Sequence, residues 1–283
     1  MKLAIRISAL TALLLPLALS SAFPAFANAL DAFKEQKGNL DIAGGTAHIP
    51  VMRSAAQSIM NFNPDIRITV AGGGSGVGVQ QVGEGLVHIG NTGRALRESE
   101  VEKYGLKSFP FAIDGVAIVV NPGNTVGALS KDQLKKIFAG DITNWQQVGG
   151  GNAGINVYIR EDGSGTREPF EDRALDGGTS AKKSNVLNSN GAMKTAIAQD
   201  KNAIGYVSLG HLDDKIQGIV LDGMVPSQEN AKSGAYTITR LLYMNTKGAP
   251  TGLTRAFIDY IYSADGAGSI SAAGYIPMDA PRE

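Results

Sequence analysis

The sequence predicts an α/β fold with a mainly parallel sheet, built in two lobes. Three observations point there. Strand and helix patterns alternate along almost the whole chain. Two long strand-like runs, near 114–122 and 235–243, are candidates for crossings between lobes. No internal repeat, heptad pattern or low-complexity linker interrupts the alternation.

The elements follow in order. Asn39–Gly45 reads as a short strand running into a glycine turn, and Pro50–Asn63 as a helix with proline in its first turn. From Asp65 to Gly73 the pattern alternates, with Ile66, Ile68 and Val70 on one face of a strand. A helix start, a turn and a short strand at Val87–Ile89 come next. Asp114–Pro122 is a continuous apolar run, expected of a buried strand. Ser130–Gly140 opens on a serine cap, is amphipathic and closes on glycine. Ile155–Asp162 reads as a strand, Thr166–Leu175 as a helix, and Gly191–Gly210 as helix, turn and strand. Ala235–Asn245 is rich in β-branched and aromatic residues, and Thr254–Gly274 reads as a helix or helix pair.

The first 29 residues have the plan of a secretory signal peptide. Lys2 and Arg6 precede an apolar run at Ala9–Leu19, and Ala27-Asn28-Ala29 is a small-x-small cleavage signal. No later segment approaches the roughly 18 uninterrupted apolar residues a membrane helix needs. A soluble, exported chain of 254 of the 283 residues is therefore expected. It has no cysteine, which excludes a disulfide scaffold, thiol catalysis and cysteine–zinc sites. Losing the leader removes two of 26 basic side chains and none of 26 acidic ones, so the mature charge is about −2. Such a balance offers no basic field for nucleic acid, and any anion recognition has to be local.

Two loops carry the chemistry for that. Thr69–Val82 runs from a strand through Gly72, Gly73, Gly74, Ser75, Gly76 and Gly78 into a helix pattern. The first-turn N–H groups of a helix lack internal partners and carry the positive end of its dipole, so strand–glycine–helix is an anion cradle. Neither nucleotide motif fits: no lysine follows the glycines, and Val77 stands where the third glycine of GxGxxG would be. The second loop places Arg160 at a strand end, then Asp162, Gly163, Ser164, Gly165 and Thr166 before a helix. Arginine offers forked donors, the hydroxyls add more, and Asp162 is suited to clamp Arg160. Two further segments are candidates: Thr46 and the N–H of Ala47, and Asn91 or Thr92 with Arg94 as a second guanidinium. Ser99 and Glu102 have the spacing of a capping box.

Taken together, Ala43–Thr46, Gly72–Val82, His88–Leu96 and Arg160–Phe170, with Lys135–Val148 and Asn202–Gly210, resemble the periplasmic phosphate-binding proteins of high-affinity phosphate ABC transporters. The resemblance implies a type II solute-binding fold of two α/β lobes joined by two crossing strands, closing on a ligand in the cleft. Lobe 1 would comprise residues 30–112 plus 236–283, and lobe 2 residues 113–235. It implies inorganic phosphate as ligand, held by Thr46, Ala47, Ser75, Thr92, Arg160, Ser164, Gly165 and Thr166, with Asp162 and Arg94 behind them. It also implies a periplasmic monomer that serves membrane permease subunits, with no metal or other cofactor. In better-known members a carboxylate in the segment matching Asn91–Leu96 accepts the proton of hydrogen phosphate. Here Gly93 and Arg94 stand there, and the role has no assigned residue. Members also often have an aromatic residue where Ala47 stands.

Sulfate, molybdate or a small organic phosphate are the alternative ligands. A secreted hydrolase is the alternative class. His48 is two residues from Thr46, yet G-x-S-x-G is absent at Ser75 and Ser164. Glu161-Asp162 and Asp213-Asp214 are acidic pairs without metal-ligand spacing to other groups.

Overall fold

The computed structural model describes residues 28–181 and 183–281; apart from Asn28 and Ala29, the expected signal peptide lies outside them. The chain begins with β1 (Gly38–Gly44), α1 (Ile49–Phe62), β2 (Ile66–Gly73), α2 (Gly74–Gly83), β3 (Ile89–Thr92) and α3 (Glu98–Tyr104). β4 (Leu106–Val120), β5 (Ala128–Leu129), α4 (Lys131–Ala139), β6 (Asn156–Arg160) and α5 (Arg167–Ala174) follow. Next come β7 (Asn185–Leu187), α6 (Asn190–Gln199), β8 (Ala203–Ser208), β9 (Gln217–Gly218), β10 (Val220–Leu221) and α7 (Gln228–Ser233). β11 (Thr239–Lys247), α8 (Gly252–Ile261), α9 (Ala264–Ala272) and β12 (Ile276–Pro277) complete it. Among the described residues, no helix is long and apolar enough to cross a membrane.

One curled sheet takes the order β2-β1-β3-β11-β4-β8-β6-β7, with β9 and β12 also paired to β4, and β5 and β10 form a separate two-stranded sheet. The sheet is parallel on both flanks, as expected, and mixed overall because antiparallel pairings enter at its centre. β1 pairs in parallel with β2 and β3, and β6 with β7 and β8. The central pairings β3–β11, β11–β4 and β4–β8 are antiparallel. The reason is topological: the chain crosses the middle of the molecule outward on β4 and returns on β11, and a return path runs opposite to the outward one.

Those two strands divide the apolar interior. One group packs Leu40, Ile42, Val51, Met52, Ile59, Phe111, Leu242, Met244 and Phe257 around β1, α1 and α8. A second joins Val116, Ile118, Phe138, Trp145, Phe170, Tyr206 and Ile238, and a third lines Ala117, Val119, Met193, Ile197 and Val207 on the opposite sheet face. Thus β4 feeds the first group with its beginning and the other two with its end. Its start, at Leu106 rather than the expected Asp114, was hidden because Leu106–Gly115 mixes lysine, serine and proline into the run. Pro110 is tolerated there because the register with β11 shifts beside it, between Leu242 and Tyr243.

Helix faces behave as their spacing predicts. α1 buries Val51, Met52, Ala55, Ala56 and Ile59. Ser130 caps α4 by accepting from the Gln133 N–H at 3.1 Å. The Ser99–Glu102 capping box does not form; α3 starts earlier, and Glu100 accepts from the Arg97 N–H at 2.8 Å. α2 packs on β1 and β3 at a distance only glycine allows. A Cβ on Gly78 would lie 2.5 Å from the Asn91 carbonyl oxygen and 3.0 Å from the Cα of Gly44. Glycine in the first loop therefore also serves packing. The elements the sequence pattern missed, β7, α3, α7 and the two-residue strands, are too short to show a period.

Candidate functional site

Four chain turns converge at the middle of the molecule, beside the crossing strands. Thr46–His48 forms a 3-10 turn between β1 and α1. Gly73 and Gly74, at φ 128° and 83°, carry β2 into α2 in a conformation that a side chain would strain. Gly93 follows β3, and the loop 161–166 links β6 to α5. Together with Arg240 from β11 they enclose a cavity of about 10 Å³, lined by Thr46, Ala47, His48, Ser75, Arg160, Ser164, Gly165 and Thr166 among others.

The cavity's hydroxyls share one property: each already accepts a hydrogen bond from the protein. Ser75 Oγ accepts from the Gly93 N–H at 3.0 Å. Ser164 Oγ accepts from the N–H groups of Thr166 and Arg167, both at 3.3 Å. Thr46 Oγ1 accepts from the backbone and side-chain nitrogens of Asn190 at 3.2 and 3.0 Å, and Asn190 Nδ2 reaches Thr166 Oγ1 at 3.5 Å. A hydroxyl has two lone pairs and one proton: Thr46 and Ser164 each accept two hydrogen bonds and are set to donate, while Ser75 and Thr166 each accept one and have a proton to offer. All four are buried.

Arg160 is 1 % exposed. Its Nε and Nη2 donate to the two carboxylate oxygens of Glu161, each at 2.8 Å, and Nε also reaches the Leu187 carbonyl at 3.2 Å. Nη1 is buried and bonded to nothing in the protein. The fork is thus fixed by a neighbour and keeps one donor in reserve. The expectation that Asp162 is the clamp is corrected here. Asp162 is exposed and accepts from Arg167 Nη1 at 2.6 Å, while the preceding residue, Glu161, holds Arg160. The side chain leaving the strand end returns over the guanidinium, whereas the next one, in the turn, points to solvent.

Thr92, expected among the ligand-holding residues, does not line the cavity, and Arg94, expected behind them, lies outside it too. Thr92 donates to the Arg94 carbonyl at 2.8 Å and accepts from Asn245 Nδ2 at 3.0 Å, so it faces inward beneath the loop. Arg94 is paired with both carboxylate oxygens of Glu100, at 2.7 and 2.8 Å, and its Nε lies 3.5 Å from Glu168 on α5. It ties the rim of the cleft together rather than reaching the centre. Between them Gly93 does line the cavity, and a Cβ there would come within 2.5 Å of Arg240 Nη1.

The sequence reading missed Arg240, Asp114 and Asn190, and weighed His48 only as the base of a hydrolase. The register of β4 with β11 sets Arg240 opposite Asp114. Arg240 Nε donates to Asp114 Oδ2 at 2.8 Å, Nη2 lies 2.7 Å from the same oxygen but off the hydrogen-bond line, and Nη1 donates to the Gly165 carbonyl. Asp114 accepts further from Ser208 Oγ at 2.9 Å and the Leu209 N–H at 3.2 Å. Burial pushes the Asp114 carboxyl above the usual range, and Arg240 beside it counters only part of that. A lone charge inside each of two apolar strand runs was the available signal, since buried charges are paired. Asn190 gave no signal of its own, because only tertiary structure brings α6 between Thr46 and Thr166.

His48 is fully buried and packs against Phe111 at 5.5 Å between ring centres. Burial, then the positive charge of Arg240, pulls its pKa down to about 3. His211 donates from Nε2 to the Thr46 carbonyl at 3.2 Å, and burial above all lowers it to about 4. Both rings are neutral in the fold. Their contribution to stability is present above the unfolded value near 6.5 and is lost as pH falls toward those depressed values. Neither ring nitrogen of His48 bonds a serine, so the nucleophile–base pair of a hydrolase is not assembled.

Formal charge at the centre nearly cancels, Arg160 against Glu161 and Arg240 against Asp114. What remains is an excess of donors. Such a site suits an anion whose every oxygen needs a hydrogen bond once water is removed.

Comparison with known proteins agrees with this chemistry. Residues 31–265 match the family model described as a PBP superfamily domain. The chain is 41% identical over 248 residues to the phosphate-binding protein PstS of Bacillus subtilis, an alignment covering 87% of this chain and 82% of that protein. A phosphate ABC transporter substrate-binding protein of Clostridium perfringens, solved with bound phosphate, is 32% identical with a TM-score of 0.80 over 86% of this chain and all of that one. An ABC-type phosphate transport receptor of Vibrio cholerae is 34% identical with a TM-score of 0.66, covering 84% and 99%.

Proposed function

Because this chain belongs to the phosphate-binding proteins of the PBP superfamily, we propose that it binds inorganic phosphate in the periplasm and delivers it to the permease subunits of an ABC-type importer. The observation that carries this reading is the set of four buried hydroxyls, each accepting from the protein and with its proton to offer, around the free Nη1 of Arg160. They present protons to a guest from several directions. A tetrahedral oxyanion uses such a set fully; a cation or an apolar guest does not.

Lobe 1 takes residues 30–112 plus 236–283 and lobe 2 residues 113–235. The apolar groups that part at β4 and β11 support this division. Thr46, Ala47 and Ser75 then come from lobe 1, and Arg160, Ser164, Gly165 and Thr166 from lobe 2. A ligand that needs both sets favours the state in which they meet. Contacts between the two sides support a closed arrangement: the Gly76 N–H donates to the Gly163 carbonyl at 3.2 Å, and Glu168 lies 3.5 Å from Arg94 and 3.7 Å from Arg97. One chain carries all the donors, which supports action as a monomer. The N-terminal sequence supports export through a cleaved signal.

Native mass spectrometry of the purified protein with phosphate, alongside titration calorimetry against phosphate and sulfate, tests the reading. Binding of one phosphate per chain is expected; heat from neither anion would end it. Two substitutions refine it. Thr166→Val keeps the shape and removes the donor, and phosphate affinity is expected to fall about tenfold, the worth of a hydrogen bond to a charged group. Glu161→Gln is expected to weaken phosphate severalfold by loosening the Arg160 fork, while Asp162→Ala leaves affinity within about twofold. The opposite order would restore Asp162 as the clamp.

A further inference from the structure

Hydrogen phosphate differs from sulfate by one P–O–H group. A site composed only of donors would leave that proton facing other protons, and a buried donor without an acceptor is costly. Resting on the phosphate reading above, we propose that the neutral imidazole of His48 accepts this proton and so distinguishes phosphate from sulfate.

The geometry singles out this ring. His48 lines the cavity and is fully buried, and neither of its ring nitrogens has a hydrogen-bond partner. The backbone of Tyr243, Gly45 and Thr92 offers acceptors beside the ring, and an N–H turned toward them fixes the tautomer and leaves the other nitrogen unprotonated. A neutral imidazole necessarily has one lone-pair nitrogen. Burial, and after it the positive charge of Arg240, keeps the ring from taking up a proton of its own, so the lone pair stays available near neutral pH.

The other acceptors nearby are engaged. The Glu161 carboxylate is spanned by the Arg160 fork, and the Gly165 carbonyl accepts from Arg240. The Thr46 carbonyl accepts from His211 and the Ala47 carbonyl from Tyr275 Oη, at 3.2 and 2.7 Å. Asp114 lies behind Arg240 with three donors on it. Asn91 Oδ1 is buried without a partner, but Asn91 does not line the cavity. Nor can position 93 supply a carboxylate as the loop stands, since Arg240 Nη1 occupies the space beside Gly93.

An analogue that lacks the hydroxyl leaves the lone pair of His48 facing an unprotonated oxygen. A site that hydrogen-bonds a particular hydroxyl rejects the analogue without it through that unmatched group. The test is calorimetric titration of wild type, His48→Leu and His48→Gln with phosphate and with sulfate. In His48→Leu the phosphate-to-sulfate affinity ratio is expected to shrink about tenfold or more, mainly through weaker phosphate binding. His48→Gln, which keeps a side-chain oxygen as acceptor, is expected to recover part of the ratio. An unchanged ratio in His48→Leu overturns the proposal.

A second measurement does not depend on the variants folding. With 15N-labelled histidine in the wild-type protein, phosphate should move the lone-pair nitrogen resonance of His48, and sulfate should not. Phosphate binding with that resonance unmoved removes the role of His48 and leaves the phosphate reading intact. Absence of phosphate binding by wild type instead removes the reading itself.

Discussion

Arg160→Ala is expected to weaken phosphate binding by about tenfold to a hundredfold, because each hydrogen bond from a charged donor contributes about 1.5–3 kcal/mol. Nη1 is a buried cationic donor on the cavity wall with no partner in the protein. Its direction is set by two bonds to Glu161 at 2.8 Å, so the site does not spend binding energy on orienting it. Arg160→Lys is expected to recover little, since a single ammonium cannot hold Glu161 with one edge and the ligand with another. Folding should survive the alanine change. Glu161 is partly exposed, and its carboxylate can be hydrated once the arginine is gone. Titration calorimetry with a circular dichroism control reads both effects; unchanged affinity in a folded variant would remove Arg160 from the site. Arg94→Ala should weaken binding less, because that side chain bonds Glu100 and stays outside the cavity.

The second large effect is on stability. Asp114→Ala is expected to cost about 3–5 kcal/mol, the usual result of leaving one member of a buried ion pair alone. For a chain of this size that corresponds to a melting temperature lower by on the order of 10 °C. Asp114 is the counter-ion of Arg240 where β4 and β11 cross the middle of the molecule, and it also satisfies Ser208 Oγ and the Leu209 N–H. Burial raises the Asp114 carboxyl despite the arginine, which means that the intact pair adds little net stability. The loss comes from stranding Arg240. A double change, Asp114→Leu with Arg240→Met, should therefore be closer to wild type in a thermal melt than Asp114→Ala alone. If the single variant melts within about 2 °C of wild type, Arg240 has found another partner and the pair does not secure the crossing.

The anion cradle was legible in the sequence because its parts are local. Strand, glycine turn, hydroxyl and helix start follow one another at 69–82 and at 160–167, and backbone geometry alone makes such a junction rich in donors. Ser75, Arg160, Ser164, Gly165 and Thr166 line the cavity for that reason, as do Thr46 and Ala47 on their own turn. The clamp of Arg160 was assigned one residue too late because sequence does not show which of two adjacent acids folds back over the strand end. Thr92 was misplaced for a similar cause: proximity in the chain to Gly93 does not say which way its side chain turns.

By itself, then, the sequence determined the alternating α/β plan, the two glycine-rich turns and the preference of those turns for an oxyanion, all consequences of neighbours along the chain. Tertiary structure alone decided what depends on distant segments. It set Arg240 against Asp114 through strand register, placed Asn190 between two threonines so that both hydroxyls accept from it and have their protons to offer, and left His48 without a hydrogen-bond partner at the cavity wall. Hydrogen-bond direction is fixed by which groups meet, and these groups meet only when residues up to 144 positions apart are folded together.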